Sequence, residues 1–248
     1  MGDLLFGDTY EGEGDRRWSL VAKAGSPWVG VYGKATQGVR YQYTGWLRRF
    51  VTECSATDRL GLDWGFGTFH YFDFAADPIA QADKFLQVCE LAAVWTRGTF
   101  WPAVDSELGG QHVQLTKTLV ENTLPKFVEK VSSETGRPMI LYTGQLDREL
   151  GITNTLGCRL LWTADYEAKL ARSRYESIGF RYGSTAENPG SLFAWQGVGV
   201  EGGGKIDGEW KLPTTTPIGP ADISTVTIAG GGDAGLTFIQ KEMFVMAA

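Results

Sequence analysis

Short apolar runs alternate with helical stripes along most of the chain. LLFGDT (Leu4–Thr9), WVGVYGKA (Trp28–Ala35), WGFGTFHYF (Trp64–Phe72), TFWPAVDSE (Thr99–Glu107), PMILYT (Pro138–Thr143), LLWTADY (Leu160–Tyr166) and LFAWQG (Leu192–Gly197) read as strands, and ADISTV (Ala221–Val226) as a weaker one. Between the third and fourth runs, Asp77-Pro78 supplies an N-cap followed by proline at the first helical position. Phe85, Val88, Cys89, Ala92 and Trp95 then recur at helical spacing. Leu119, Leu124, Phe127, Val128 and Val131 repeat that stripe before Gly136, and Pro125 is expected to start or kink this helix. The segment from Trp46 to Cys54 gives a further helix.

Strand, helix, strand in this rhythm predicts a largely parallel α/β sheet or barrel. Past residue 144 the helical patterns shorten. EGGGKIDG (Glu201–Gly208) and AGGGDAG (Ala229–Gly235) read as loop and linker. The expected organisation is one domain over residues 1–228, then a glycine-rich linker and short apolar tail over 229–248, the tail reading either as a packed terminal strand or as a stub before another module.

Composition narrows the chemistry. The 248 residues suit a single α/β domain. With 23 Lys+Arg against 29 Asp+Glu, the net charge of −6 argues against a nucleic-acid partner, which needs clustered cations. No apolar run approaches the ~18 residues of a membrane span, so no stable membrane association is expected. The opening MGDLLFGDTYEGEG lacks the basic and apolar regions of a secretory signal peptide. Cys54, Cys89 and Cys158 form no CxxC unit; the two in helical stretches, Cys54 and Cys89, read as small buried thiols. Two histidines, His70 and His112, starve zinc sites and most histidine-based nucleophiles, so neither a metal nor a cofactor is expected. Carboxylates and aromatics are what the chain has in quantity, with 9 Trp, 9 Tyr and 13 Phe. That pairing suits sugars, whose apolar ring faces pack on aromatics while carboxylates bond their hydroxyls.

The reactive material gathers at the fourth strand. In WPAVDSE, Asp105 and Glu107 are two apart, so on a strand both leave the same face with Cβ atoms roughly 6–7 Å apart, twice the rise per residue. The carboxyl end of a parallel barrel strand is where active sites are built. Other strand ends add to the ring: Asp8, His70 with Tyr71, Tyr142, Trp162 with Tyr166, Trp195 with Gln196, and Asp222. Acids and aromatics at successive strand ends compose a saccharide cleft.

These residues resemble the glycoside hydrolase family 25 lysozymes, the Chalaropsis-type muramidases that include phage endolysins. GlyAsp at 7–8 and DRRWSLVAKAG (Asp15–Gly25) resemble the first βα unit of that family. GKATQG (Gly33–Gly38) is similar to its Lys-Ala-Thr-Glu-Gly element, GTFHYF (Gly67–Phe72) to Gly-x-Tyr-His-Phe, and AVDSE (Ala103–Glu107) to the catalytic Asp-x-Glu. LYTG, LLWTADY and FAWQG follow in order, and ADISTV is similar to the closing Val-Asp-x-Asn segment. Departures include Thr9, Tyr10 and Glu11 in place of the usual Ser, Trp or His, and Gln, and Gln37 where Glu is common. Phe69 and Tyr71 exchange the usual Tyr and Phe.

The resemblance implies an irregular, flattened β/α barrel with fewer helices than a regular (β/α)8 barrel. It implies Glu107 as general acid/base, Asp105 as its partner, and Asp8 and Asp222 as flanking acids that would raise the pKa of Glu107 by like charge. The implied substrate-binding set is Lys34, His70, Tyr71, Tyr142, Trp162, Tyr166, Trp195 and Gln196. The implied substrate is the β-1,4 bond between N-acetylmuramic acid and N-acetylglucosamine in bacterial peptidoglycan. A monomer is expected, with a separate wall-binding module as an attachable partner. A wall hydrolase without a signal peptide fits an endolysin that waits in the host cytoplasm for holin release, or a virion-carried lysin. Rival readings are a non-catalytic saccharide-binding or virion barrel, and a chitinase-like substrate-assisted glycosidase. The latter is disfavoured because Phe100 and Ala103 stand where DxxDxDxE would place acids.

Overall fold

The structure, a computed structural model, describes residues 4–11, 28–56, 64–143, 146–152, 154–164, 191–199 and 235–239, the last two segments by their backbone. In chain order the elements are β1 (Leu4–Thr9), β2 (Trp28–Gln37), β3 (Tyr41–Gln42), α1 (Thr44–Ser55), β4 (Gly65–Tyr71), α2 (Pro78–Leu91), α3 (Val94–Arg97), β5 (Ala103–Asp105), α4 (Lys117–Thr135), β6 (Ile140–Thr143), α5 (Leu146–Leu150), β7 (Leu160–Ala164), β8 (Ser191–Gly199) and β9 (Gly235–Ile239). This is a mixed α/β fold. The sheet runs β1-β9-β8-β7-β6-β5-β4-β2-β3. Strands β2, β4, β5, β6, β7 and β8 are parallel neighbours, and β1 also pairs in parallel with β2. The pattern read from the sequence placed Gly235–Ile239 at the edge of the linker and in the tail. These residues form β9, antiparallel to both β1 and β8, which is the packed-strand reading of the tail and carries the sheet past residue 228. The weak strand expected at Ala221–Val226 lies outside the described residues.

Capping explains where the helices begin. The Asp77 carboxylate accepts the Ala80 N–H with Pro78 at the first helical position, and the Thr116 hydroxyl accepts the Leu119 N–H. Helix α4 therefore starts well before Pro125, which lies inside it rather than at its start. Gly136 closes α4 in the left-handed conformation (φ 66°). Helix α2 stops earlier than its apolar stripe. Ala93 adopts φ 59°, a conformation that ends the helix, and Trp95 falls on α3 instead.

Alternation along the strands sorts the side chains into two layers. Val104, Leu141 and Leu161 stand in register on β5, β6 and β7 and join the core with Phe85, Val88, Leu124, Phe127 and Val131 of α2 and α4. The opposite face carries Tyr32, Phe69, Ala103, Ile140, Tyr142, Leu160 and Trp162, all buried. Glycine makes this second layer fit. A Cβ at Gly65 would stand 2.2 Å from the Phe100 ring, and one at Gly30 would stand 2.5 Å from it, so Phe100 lies across β2 and β4 only because both positions lack a side chain. The Tyr32 ring packs 5.3 Å from Phe100, and its hydroxyl donates to the Trp101 carbonyl at 3.0 Å.

Candidate active site

One register row crosses the sheet at the carboxyl ends of its strands. Gln37 pairs with Tyr71, Tyr71 with Asp105, Asp105 with Tyr142, and Tyr142 with Trp162. Neighbours in a parallel row share a face, and this one is the face opposite the helices. The row one step below it is apolar, Phe69, Ala103, Ile140 and Leu160. Asp105 is thus the acid of a row whose floor is hydrocarbon and whose flanks are two tyrosines. It is 7% exposed, and Tyr142 is 9% exposed. A carboxylate at such a position is partly withdrawn from water yet open at the strand end.

The backbone holds that row tightly. The Asp105 carbonyl accepts the Phe72 N–H at 2.9 Å, and the Ser106 N–H donates to the Tyr142 carbonyl at 2.9 Å. Strand β5 itself ends at Asp105, so Glu107 is not on the strand beside it. Glu107 sits half-buried in the loop that follows. Two side chains fix this loop. The Tyr71 hydroxyl donates to the Gly109 carbonyl. Gln111 donates to the carbonyls of Glu107 (3.1 Å) and Phe72 (2.9 Å) and accepts the Phe74 N–H (3.0 Å), tying the loop after β5 to the loop after β4. Gln111 carried no signal in the sequence, because its role depends on two loops meeting.

A second group of charges lies at the ends of β1 and β2. Asp8 is 7% exposed and in register with Tyr32, whose ring packs 5.2 Å from Trp162. Lys34 lies 3.7 Å from the Glu11 carboxylate and 4.8 Å above the Tyr10 ring, all three largely buried. Tyr10 and Glu11 are two of the positions where the sequence departs from the family pattern, so the departure builds a partner for Lys34. That was the signal that could have marked both residues.

Two expected substrate contacts are corrected. His70 is fully buried on the helix-facing side of β4, stacked 4.7 Å from Phe127 and flanked by Phe72 and Phe85. Its Nδ1 pairs with the Thr36 hydroxyl at 2.7 Å and its Nε2 with Gln81 Oε1 at 3.1 Å. Burial lowers its pKa from 6.5 to about 4, so the ring is neutral near pH 7. It is a structural histidine. Trp162 belongs to the row but is 2% exposed, its ring 4.7 Å from Tyr142, so it packs edge-on beside that tyrosine rather than presenting a face to a ligand. Trp195 and Gln196 stand on β8 in register with Thr163 and Ala164. Tyr166 and Asp222 lie outside the described residues. The three cysteines are buried, with thiol pKa values pushed up chiefly by that burial.

A family model described as glycosyl hydrolases family 25 matches residues 7–191. No curated protein matches the chain. Among solved structures, the bacterial lysozyme from Streptomyces coelicolor has a TM-score of 0.60 at 16% identity, covering 100% of this chain and 98% of that one. The catalytic domain of an endolysin from a bacteriophage of Listeria monocytogenes has a TM-score of 0.58 at 15% identity, covering 99% and 97%. The modular autolysin of Streptococcus pneumoniae has a TM-score of 0.58 at 13% identity, covering 95% of this chain and 46% of that one.

Proposed function

The chain belongs to glycosyl hydrolases family 25 and is a glycoside hydrolase, and from that premise we propose that it is a muramidase. In this reading it cleaves the β-1,4 bond between N-acetylmuramic acid and N-acetylglucosamine in bacterial peptidoglycan. The observation that carries the reading is the row Tyr71, Asp105, Tyr142 at the carboxyl ends of parallel strands, with Glu107 in the loop that Tyr71 and Gln111 hold.

In the proposed mechanism Glu107 gives its proton to the glycosidic oxygen as the bond to the anomeric carbon breaks. Asp105 supports the positive charge that develops there, either by attacking the carbon or by orienting the substrate's own 2-acetamido group. Water then completes hydrolysis and returns a proton to Glu107. The family resemblance adds Asp8 and Asp222 as further acids of the proposed site. The apolar floor beneath Asp105 strengthens this electrostatic support, because charges interact more strongly away from bulk water.

We read the sheet as the irregular, flattened barrel of the family; the pairing of β1 with both β2 and β9 supports this. The biological role proposed is lysis of a bacterial wall by a phage endolysin or virion-carried lysin, supported by the likeness to an endolysin catalytic domain. A separate wall-binding module would supply the attraction to anionic walls that a net charge of −6 does not. Digestion of purified cell walls tests the activity. The reading expects new reducing ends of N-acetylmuramic acid. Reducing ends of N-acetylglucosamine, or released peptide with intact glycan, would replace it with a different bond specificity.

A further inference from the structure

Beside the carboxylate row lies a cavity of about 570 Å³ that the cleavage mechanism does not use. Its walls are the β2–β3 hairpin, the start of α2 and the loop after β5, with Tyr71, Gly110 and Gln111 among the lining residues. Tyr71 is the partition between this cavity and the active site. Its carbonyl accepts the Gly38 N–H of the hairpin at 3.1 Å, its hydroxyl holds Gly109, and its register partner on one side is Gln37 and on the other Asp105. Gln37 and Asp105 therefore stand two strands apart, roughly 10 Å at ~4.8 Å per strand. A polymer that lies over Asp105 and runs across the strands toward β2 meets this cavity.

The chemistry of the walls selects the occupant. Tyr41 lines the cavity and is 50% exposed, and its ring packs 5.2 Å from Tyr43, itself 39% exposed. Val39, 37% exposed, lies on the same hairpin. A single exposed apolar side chain needs no explanation, but a tyrosine pair and a valine at the rim of a cavity form an apolar patch. Around them stand Arg40, Asp73, Asp77 and His112, one cation and two carboxylates beside a histidine, so the charge is mixed and its excess slight. A charged peptide calls for one sign. A neutral sugar calls for an aromatic face and scattered donors and acceptors, which is what the cavity presents. The walls are also already formed, since Gln111 makes three hydrogen bonds across them, so little ordering accompanies binding.

We propose that this cavity is an accessory saccharide subsite, in which Tyr41 stacks against an N-acetylhexosamine of the glycan strand beyond the sugars that flank the cleaved bond. The proposal rests on the muramidase reading and extends it to strand length: the enzyme prefers long glycan over short.

The test uses peptide-free glycan strands of four and of eight sugars, with affinity measured by calorimetry on the Glu107→Gln protein so that the strands stay intact. The expected result is at least tenfold tighter binding of the longer strand, with that gain lost in Glu107→Gln/Tyr41→Ala and reduced in Glu107→Gln/Arg40→Ala, while melting temperatures stay together. Equal affinity for both lengths in the Glu107→Gln parent, or a length gain that survives both hairpin variants, overturns the subsite and leaves the muramidase reading standing. No binding of either strand, together with no wall lysis by the unmutated enzyme, overturns the muramidase reading and the subsite with it.

Discussion

Tyr71 and Asp105 stand in register on adjacent parallel strands, and the tyrosine secures the loop that carries the second acid. One residue thus sets both halves of the Asp-x-Glu pair. Its backbone belongs to the ladder beside Asp105, and its hydroxyl anchors Gly109, two residues beyond Glu107. The carboxylate on the strand has little freedom, whereas the one in the loop depends on side-chain bonds for its position.

Removing one of those bonds should loosen Glu107 without unfolding the protein. Tyr71→Phe deletes only the hydroxyl, a hydrogen bond worth about 0.5–1.5 kcal/mol. If the loop moves in proportion, kcat falls roughly 2- to 10-fold at 1.36 kcal/mol per decade. The check is kcat on soluble glycan alongside the melting temperature. A drop in stability with kcat unchanged would assign the hydroxyl to folding alone.

Gln81 should be one of the least replaceable polar residues in the fold. It is fully buried and bonds His70 Nε2, the Asp73 N–H, and the carbonyls of Asp73 and Ala76. Gln81→Leu keeps the volume and strands these partners, at about 1–3 kcal/mol for each buried group left unpaired. Urea unfolding is expected to show a loss above about 2 kcal/mol. A loss under half that size would mean that water takes over the bonds.

His70 makes stability depend on pH. Its pKa is held at about 4 in the fold, against 6.5 when exposed, so between those values the unfolded chain binds a proton that the folded one refuses. The contribution is complete above pH 6.5 and disappears as the pH falls toward 4. Its size is roughly 3 kcal/mol at 1.36 kcal/mol per unit. Unfolding free energies at pH 7 and pH 4 should therefore fall further in the parent than in His70→Gln. Parallel losses in the two proteins would contradict a neutral buried ring.

Wall hydrolysis should persist in EDTA. The described residues bring no three His, Cys, Asp or Glu side chains into a metal-binding group, and the proposed chemistry runs on carboxylates. The measurement is turbidity loss of a wall suspension with and without chelator. Activity lost in EDTA and restored by zinc would call for another mechanism.

Much of this arrangement was legible in the sequence, and the failures follow a physical rule. The parallel strands of the first 164 residues, the Asp77 cap and the Asp-x-Glu pair came from local patterns. His70 and Tyr71 could not both have faced a ligand, because neighbours on a strand point to opposite faces. Alternation alone would have removed one, and the structure shows it is His70, which pairs with Val104 in the helix-facing row. Trp162 passed that parity test but not burial, which depends on Tyr32 and Tyr142 closing around it. Strand β9 was legible only as one of two readings of the tail, because five residues after a glycine run fit a strand or a stub equally until β1 and β8 are there to pair with them. Gln111 and Gln81 make long-range partnerships with no local signature, and the Glu11–Lys34 pair was marked only by the departure from the family pattern at residue 11. The break at Ala93 was invisible because alanine favours helix; only the surrounding fold forces its positive φ.

The most direct test of the central claim is the rate at which Glu107→Gln solubilises purified cell walls, compared with the parent at equal concentration and equal melting temperature. General acid catalysis typically contributes about 10²–10⁴-fold, and an amide has no proton to give the leaving oxygen. A loss in that range is expected, with glycan binding retained and no new N-acetylmuramic acid reducing ends above background. Lysis by Glu107→Gln within a few fold of the parent would contradict it.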